Sequence, residues 1–405
     1  MADGLDAAMV TPAPSSHSPD STLTARIAEA TALREGPEGV AQVLRIVFRD
    51  GPLPLRDLAR QARLPLPVAG AVRRELENAA LFERGGGVRL TEAGRAFCAE
   101  TLGLEGSAQP RPVAPVAAGP DLPEALHAVL GAMEEQVTAG PPVDVTLDQA
   151  PCTPETALRR ALAMHEAGAV EGRHIAIMGD DDSMSVAIPL VARALGIGGP
   201  RRITVFELDP SRCRQLREAA ERIGAPVEIV PQDLRDPLPA GFHGGFDVLE
   251  TDPPYTLPGM ALFLRRGLEA LRRETGLPVF LSYGDLAPGD QLACLRELAA
   301  LGLAASRIRP SFNRYAGASI LGSTGQLLEL RTTDEVPDAV EAERFAAPIY
   351  TGEVRPKLRR YRCQNCGTAV VVGHGESFAT IERLKAAGCP ACGETRFRRE
   401  GLVRR

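Results

Sequence analysis

The chemistry available to this sequence lies in four short acidic motifs, each at the end of an apolar run. The first is Gly179-Asp180-Asp181-Asp182, directly after RHIAIM. In a nucleotide-binding fold this position ordinarily holds a glycine-rich loop, with helix N–H groups turned toward an anion. Three carboxylates there repel a carboxylate-bearing ligand and attract a cationic amine. Helix capping accounts for one or two of them, and Asp182, next to SMSVAIPL, is the expected cap. Asp181 is then left to reach an amine, with Asp180 nearer the strand.

The second motif is Glu207-Leu208-Asp209. An acidic residue at this point can accept hydrogen bonds from both hydroxyls of a ribose. Glu207 suits that role, whereas Asp209 equally suits a cap for the next helix. The third motif, Gln232-Asp233-Leu234, offers a carboxylate to an adenine amino group, or simply a turn residue. The fourth is Asp252-Pro253-Pro254-Tyr255. Its prolines fix the backbone and remove N–H donors. A carboxylate, carbonyl acceptors and an aromatic face remain, which suit an amine that gains positive charge during attack. The plain alternative is a rigid loop with a packed tyrosine.

A fifth constellation is Cys363-x-x-Cys366 with Cys389-x-x-Cys392, each knuckle followed by glycine and the two separated by 22 residues. This spacing is that of a four-thiolate zinc site, closed and therefore structural. His243 and His374 are expected to be surface residues rather than ligands.

These residues need a scaffold, and the pattern between them supplies one. From residue 173 short apolar runs alternate with amphipathic stretches, implying a parallel sheet with right-handed crossovers. The acidic motifs fall at the carboxyl ends of its strands, where such sheets bind ligands. The expected fold class is α/β, a Rossmann-like, methyltransferase-type domain over 121–345. Residues 1–37 read as a disordered tail and short helix, and 38–103 as a winged helix-turn-helix. There, three short helices precede the glycine turn ERGGGVRLT and a closing helix capped by Thr91. Residues 104–120 are a Pro/Gly-rich linker, and 355–405 a zinc ribbon with 12 Lys/Arg against 4 Asp/Glu.

The chain has 405 residues and a formal net charge of −6, which favours a polycationic substrate over whole-protein attraction to nucleic acid or membrane. No apolar run approaches the ~20 residues that span a bilayer. Four clustered and four scattered cysteines suggest a reduced, cytoplasmic protein without a disulfide framework.

The segments DQAPCTPETALRRA, GDDDSMS, FELD, QDLRDPLP and DPPYT together resemble the branched-chain polyamine synthases, the bis(aminopropyl)spermidine synthases, over about residues 40–330. The resemblance implies decarboxylated S-adenosylmethionine as co-substrate, a polyamine such as spermidine as acceptor, and methylthioadenosine as the leaving product. It assigns Asp180, Asp181, Asp182, Asp252 and Tyr255, with Pro253 and Pro254, to the polyamine side. Gly179, Glu207, Asp209 and Asp233 fall on the nucleoside side. Asp181 is the first candidate for the proton-accepting carboxylate and Asp252 the second.

Two other readings stay open. One is an S-adenosylmethionine-dependent amino-methyltransferase acting on nucleic acid, since DPPY also marks those enzymes. The other is a transcription regulator whose central domain senses a ligand. A second copy of the chain is a candidate partner. Nucleic acid, through the basic ribbon, is a less favoured one, and no membrane partner is expected.

Overall fold

A computed structural model describes residues 21–62, 64–105, 122–315, 324–338, 343–354 and 358–403. The proposed N-terminal tail and nearly all of the linker lie outside them.

The N-terminal module contains α1 (Ser21–Ala30), α2 (Gly36–Asp50), α3 (Leu55–Ala62), α4 (Leu66–Asn78) and α5 (Glu92–Leu102). Apolar residues at helical spacing, among them Val40, Val43, Leu44 and Val47 of α2, meet Leu58, Val72 and Leu76 in one core. Thr91 caps α5 as expected, its hydroxyl accepting from the Gly94 N–H at 2.9 Å. The glycine turn forms, but with only the bridges Leu53–Val88 and Phe82–Leu90 in place of the two strands expected around it.

The central unit opens with α6 (His127–Thr138) and α7 (Pro154–Glu166), the latter capped by Thr153 and led by proline. Then follow β1 (His174–Met178), α8 (Met184–Leu195), β2 (Arg202–Glu207), α9 (Pro210–Ile223), β3 (Val227–Pro231) and β4 (Val248–Thr251). They continue as α10 (Leu257–Ala270), β5 (Pro278–Gly284), α11 (Pro288–Ala300), β6 (Leu303–Arg314) and β7 (Thr324–Thr332). The seven strands are ordered β3-β2-β1-β4-β5-β7-β6. The first five are parallel, as the alternation required, and β7 and β6 are antiparallel. Helices on both faces bury two apolar clusters.

The antiparallel edge was not foreseen. β6 is an edge strand with a mostly exposed pattern, interrupted at Pro310 and at Ser311, whose φ is +53°. Proline and a register shift blunt such an edge and hide the period of a strand. The central unit also runs past residue 345. A strap ending in α12 (Thr351–Val354) buries Ile349 and Tyr350 against the sheet's core.

A separate three-stranded antiparallel sheet, ordered β10-β8-β9, ends the chain. It comprises β8 (Leu358–Cys363), β9 (Ala369–Val372) and β10 (Phe397–Val403), with α13 (Ile381–Ala387) between the last two.

The N-terminal module is bound to the central unit by buried charge. Glu38 of α2 makes a two-pronged ion pair with Arg173, both buried. Burial opposes the Glu38 charge, but Arg173 outweighs it and holds the pKa below the usual value. Arg49 pairs with Glu171 at 2.6 Å, and Arg45 donates to the Glu171 and Leu102 carbonyls at 3.0 and 3.3 Å. Nearby, Gly103 and Gly172 meet backbone to backbone, so a Cβ on Gly103 would lie 2.4 Å from the Gly172 Cα.

Removing one partner of a buried pair strands the other charge. Glu38→Gln is therefore expected to cost about 3–5 kcal/mol in denaturant unfolding. The double change Glu38→Leu with Arg173→Leu should recover much of it. A single-site loss below ~1 kcal/mol would mean the pair does not tie the two units.

Candidate active site

The carboxyl ends of β1, β2, β3 and β4 open onto one cleft, which takes in Gly179, Asp180, Asp181, Glu207, Asp233, Asp252 and Pro254. It is roofed by Asp148 and Gln149, from the segment before α7, and by Ile349 and Tyr350 of the strap. Thr256 holds that roof. Its hydroxyl donates to the Ile349 carbonyl and accepts from the Gly259 N–H at the start of α10. Asp148 anchors the far side by accepting the Thr351 N–H at 2.7 Å.

The three loop aspartates divide their work differently from expectation. Gly179 turns the chain at φ +73° and Ser183 turns it again at +56°. This brings Asp180, not Asp182, beneath α8. Asp180 accepts from the N–H of Met184 at 2.6 Å and of Ser185 at 3.1 Å, and from the Ser185 hydroxyl. Asp182 points the other way, accepting the Cys152 N–H at 2.5 Å and pairing with Arg160 of α7. Asp181 is half-buried on the cleft wall and accepts the Ala150 N–H at 2.9 Å. Burial, then the Asp182 charge, push its pKa up to about 8.

Arg160 is the centre of the site and was not singled out from sequence. Its side chain is 2% exposed and faces Asp182, Glu250 at the interior of β4, and Asp252 at 3.3 Å. One cation among three carboxylates leaves an excess of negative charge. Burial accordingly raises Glu250 to about 7, while burial and then Asp182 raise Asp252 well above the ordinary range. Asp252 also accepts the Tyr315 hydroxyl at 2.8 Å. Arg160 does lie in the TPETALRRA segment, but its helical period reads equally well as a surface arginine. The available signal was Glu250, a charged residue inside a strand that otherwise reads as buried.

The other expected residues fall around this core. Pro253 is buried, and Tyr255 packs beside the cleft, its ring 5.9 Å from Tyr283 and 6.1 Å from Tyr315. Glu207 lies on the floor, accepting the N–H groups of Asp180 at 3.0 Å and Asp209 at 2.8 Å, with a pKa raised by burial. Asp209 is withdrawn from the wall: it caps α9 through the Ser211 N–H at 2.8 Å and accepts from Gln149 at 3.2 Å. Asp233 reaches the cleft held by Arg235 and by Arg344 at 2.8 Å. Burial opposes its charge, but these hydrogen bonds win and lower its pKa.

The family model of the branched-chain polyamine synthase A C-terminal domain matches residues 129–341. The chain belongs to the branched-chain polyamine synthase family, a family of transferases. A relative similar over nearly the whole chain is an uncharacterized protein of Methanocaldococcus jannaschii, 32% identical over 93% of this chain and 92% of that one. The N(4)-bis(aminopropyl)spermidine synthase of Thermococcus kodakarensis is 39% identical over 31% of this chain and 34% of its own. The synthase of that name from M. jannaschii is 29% identical over 52% of this chain and 58% of its own. The chain thus matches about a third to just over half the length of these named synthases. In fold it is similar to a branched-chain polyamine synthase mutein from Thermus thermophilus, solved with N4-aminopropylspermidine and 5′-methylthioadenosine. That likeness has a TM-score of 0.50 at 24% identity, over 82% of this chain and 97% of that one.

Away from the cleft, the sulfur atoms of Cys363, Cys366, Cys389 and Cys392 all lie within 4.8 Å of one another. The Cys363–Cys392 and Cys366–Cys389 pairs are 3.6 and 3.7 Å apart. Neither His243 nor His374 belongs to the group. The four scattered cysteines are buried thiols. Among the described residues no helix is long and apolar enough to cross a membrane.

Arg160→Leu should destabilise the protein by about 3–5 kcal/mol, because it leaves a buried cluster of carboxylates without a cation. Adding Glu250→Gln should restore part of that loss. Both are read by denaturant unfolding, and equal stability of the single and double variants would count against a shared charge centre.

Proposed function

We propose that this chain is an aminopropyltransferase, moving aminopropyl groups from decarboxylated S-adenosylmethionine to a polyamine amine such as spermidine, with methylthioadenosine leaving. The observation that carries the reading is one cleft, in a chain of a polyamine synthase family, bearing Asp148, Asp181 and Asp252 beside a floor that carries Glu207 and Asp233. On that floor Glu207 is the ribose acceptor and Asp233 the contact to the adenine amino group, with Gly179 giving the nucleoside room. The polyamine's other ammonium groups are held by the acidic wall.

In the transfer, a neutral amine nitrogen forms a bond to the carbon next to the sulfonium. The carbon–sulfur bond breaks and its electron pair stays on sulfur. The attacking nitrogen must shed a proton, and Asp181 is the acceptor. Asp252 orients the amine, fixed in turn by Arg160 and the Tyr315 hydroxyl. Tyr255 and the two prolines border this end of the cleft. Asp180 and Asp182 serve the loop's shape rather than the substrate directly, and Asp209 supports Glu207 from behind.

General-base help is worth roughly 100–10,000-fold in rate. Asp181→Asn should lower turnover by at least that lower bound while changing donor affinity little. With burial and Asp182 raising its pKa to about 8, the proton-accepting carboxylate share of Asp181 grows steadily as pH rises toward that value. Turnover should therefore climb as pH rises toward about 8, and the climb should vanish in Asp181→Asn. An Asp181→Asn protein that turns over normally, with Asp252→Asn inactive, would move the base to Asp252.

A second reading keeps support: methylation of an amine on nucleic acid with intact S-adenosylmethionine. The argument against it is the negative loop, and that loop carries less free charge than its sequence suggests. Asp180 is engaged in capping, Asp182 is paired with Arg160, and burial with the Asp182 charge works against the charged form of Asp181. The basic tail also suits it. The deciding measurement is mass spectrometry of products from each sulfonium donor with a panel of polyamines and RNA. Methylthioadenosine with an aminopropylated amine supports the first reading, and adenosylhomocysteine with methylated nucleic acid replaces it.

The N-terminal module is read as a winged helix used for packing rather than for DNA reading. Of the two arginines on α4, Arg73 is already paired with Glu77 at 2.6 Å. The tail is read as a zinc ribbon. Four thiolates about 2.3 Å from a tetrahedral ion stand roughly 3.8 Å apart, which the sulfur spacings fit. About one zinc per chain is expected in metal analysis. Cys363→Ser should release it and melt the tail, yet leave turnover on a small amine substantially intact. Freshly purified protein without zinc would rule the site out.

A further inference from the structure

The ribbon carries charge that neither the fold nor the cleft employs. β8 and β10 run antiparallel, with Arg398 opposite Arg362, Arg399 opposite Tyr361, Gly401 opposite Arg360 and Leu402 opposite Arg359. All five arginines are exposed. Arg362 is engaged, paired with Glu400 and donating to the Gly367 carbonyl at 2.8 Å. Among the described residues, Arg359, Arg360, Arg398 and Arg399 make no ion pair. Side chains alternate along each strand, so Arg360, Arg362 and Arg398 share one face while Arg359 and Arg399 flank Tyr361 on the other. Glu400 is the nearby carboxylate, paired with Arg362 and acting on Arg398 and Arg360 from farther off, so the two strands present more guanidinium than carboxylate.

The charge of the whole chain sharpens this. Residues 355–405 hold 12 Lys/Arg against 4 Asp/Glu, and residues 1–354 hold 34 against 48. A basic tail beside an acidic body could simply fold onto it. Yet these arginine side chains stay exposed, and the ribbon reaches the body through Arg383 and Asp144 at 3.4 Å. The body is thus not what covers these arginines. The cations are almost all arginine, whose planar fork grips phosphate with two parallel hydrogen bonds, where lysine acts as a point charge. Forks presented from both faces of two extended strands match several phosphates along one chain better than a single small anion.

We propose that the exposed arginines of the β8–β10 pair bind the phosphate backbone of a nucleic acid. The inference is independent of which sulfonium donor the cleft uses. Its contacts are electrostatic, so each one formed releases counterions and steepens the dependence on salt.

The test uses the full zinc-loaded chain and labelled 20-residue RNA and DNA, single- and double-stranded, followed by fluorescence anisotropy across salt. Arg359, Arg360, Arg398 and Arg399 are changed together to alanine. A control carries Arg74→Ala, Arg84→Ala and Arg95→Ala in the N-terminal module. Zinc content and melting temperature confirm that both variants are folded. The ribbon variant should lose at least tenfold in affinity at low salt. Its log–log salt slope should flatten by about 3 for four lost contacts. The control should change little, and turnover on a small amine should be unaltered in both. The RNA and DNA arms tell the two sources of phosphate apart. Undetectable binding at 50 mM salt (about one-third physiological), or binding lost in the control but kept in the ribbon variant, would overturn the proposal. So would poly-glutamate competing as well as nucleic acid of equal charge, which would point to an acidic protein.

Discussion

A single buried guanidinium organises the cleft. Arg160 comes from α7, outside the alternating strands and helices, yet it meets carboxylates from the loop after β1, the interior of β4 and the loop after β4. Without that cation, Asp182, Glu250 and Asp252 could not share one apolar interior. With it, the two acidic loops are held at fixed separation, and Asp181 and Asp252 face the same space. Burial, and the surplus of carboxylate over cation, hold Glu250 and Asp252 above the ordinary carboxylate range.

Much of the frame was legible because it rests on short-range rules. Thr91 and Thr153 cap the helices they precede, and the alternation from residue 173 becomes five parallel strands. The cysteine cluster was legible because chelate spacing is nearly a covalent constraint, and its sulfurs do converge. Among the site residues, Glu207, Asp233, Asp181 and Asp252 reach the cleft from the strand ends the motifs marked.

What could not be read depends on geometry that sequence distance conceals. Asp182 is the aspartate nearest α8, so it was the natural cap, but the left-handed turn at Ser183 delivers Asp180 instead. Arg160 and Glu250 are 90 residues apart and are recognisable as partners only after the sheet is assembled. Tyr315 lies at the end of an edge strand whose proline and register shift erase the alternation. The strap that brings Tyr350 over the cleft has no periodic signature at all.

The contact between Gly103 and Gly172 has a bearing on how this architecture can diversify. Two backbones touch with no room for a side chain, beside the buried pair of Glu38 and Arg173. At this seam, drift in either partner forces a compensating change in the other. The N-terminal module and the central unit are therefore tied at this seam as one block, not strung together like beads.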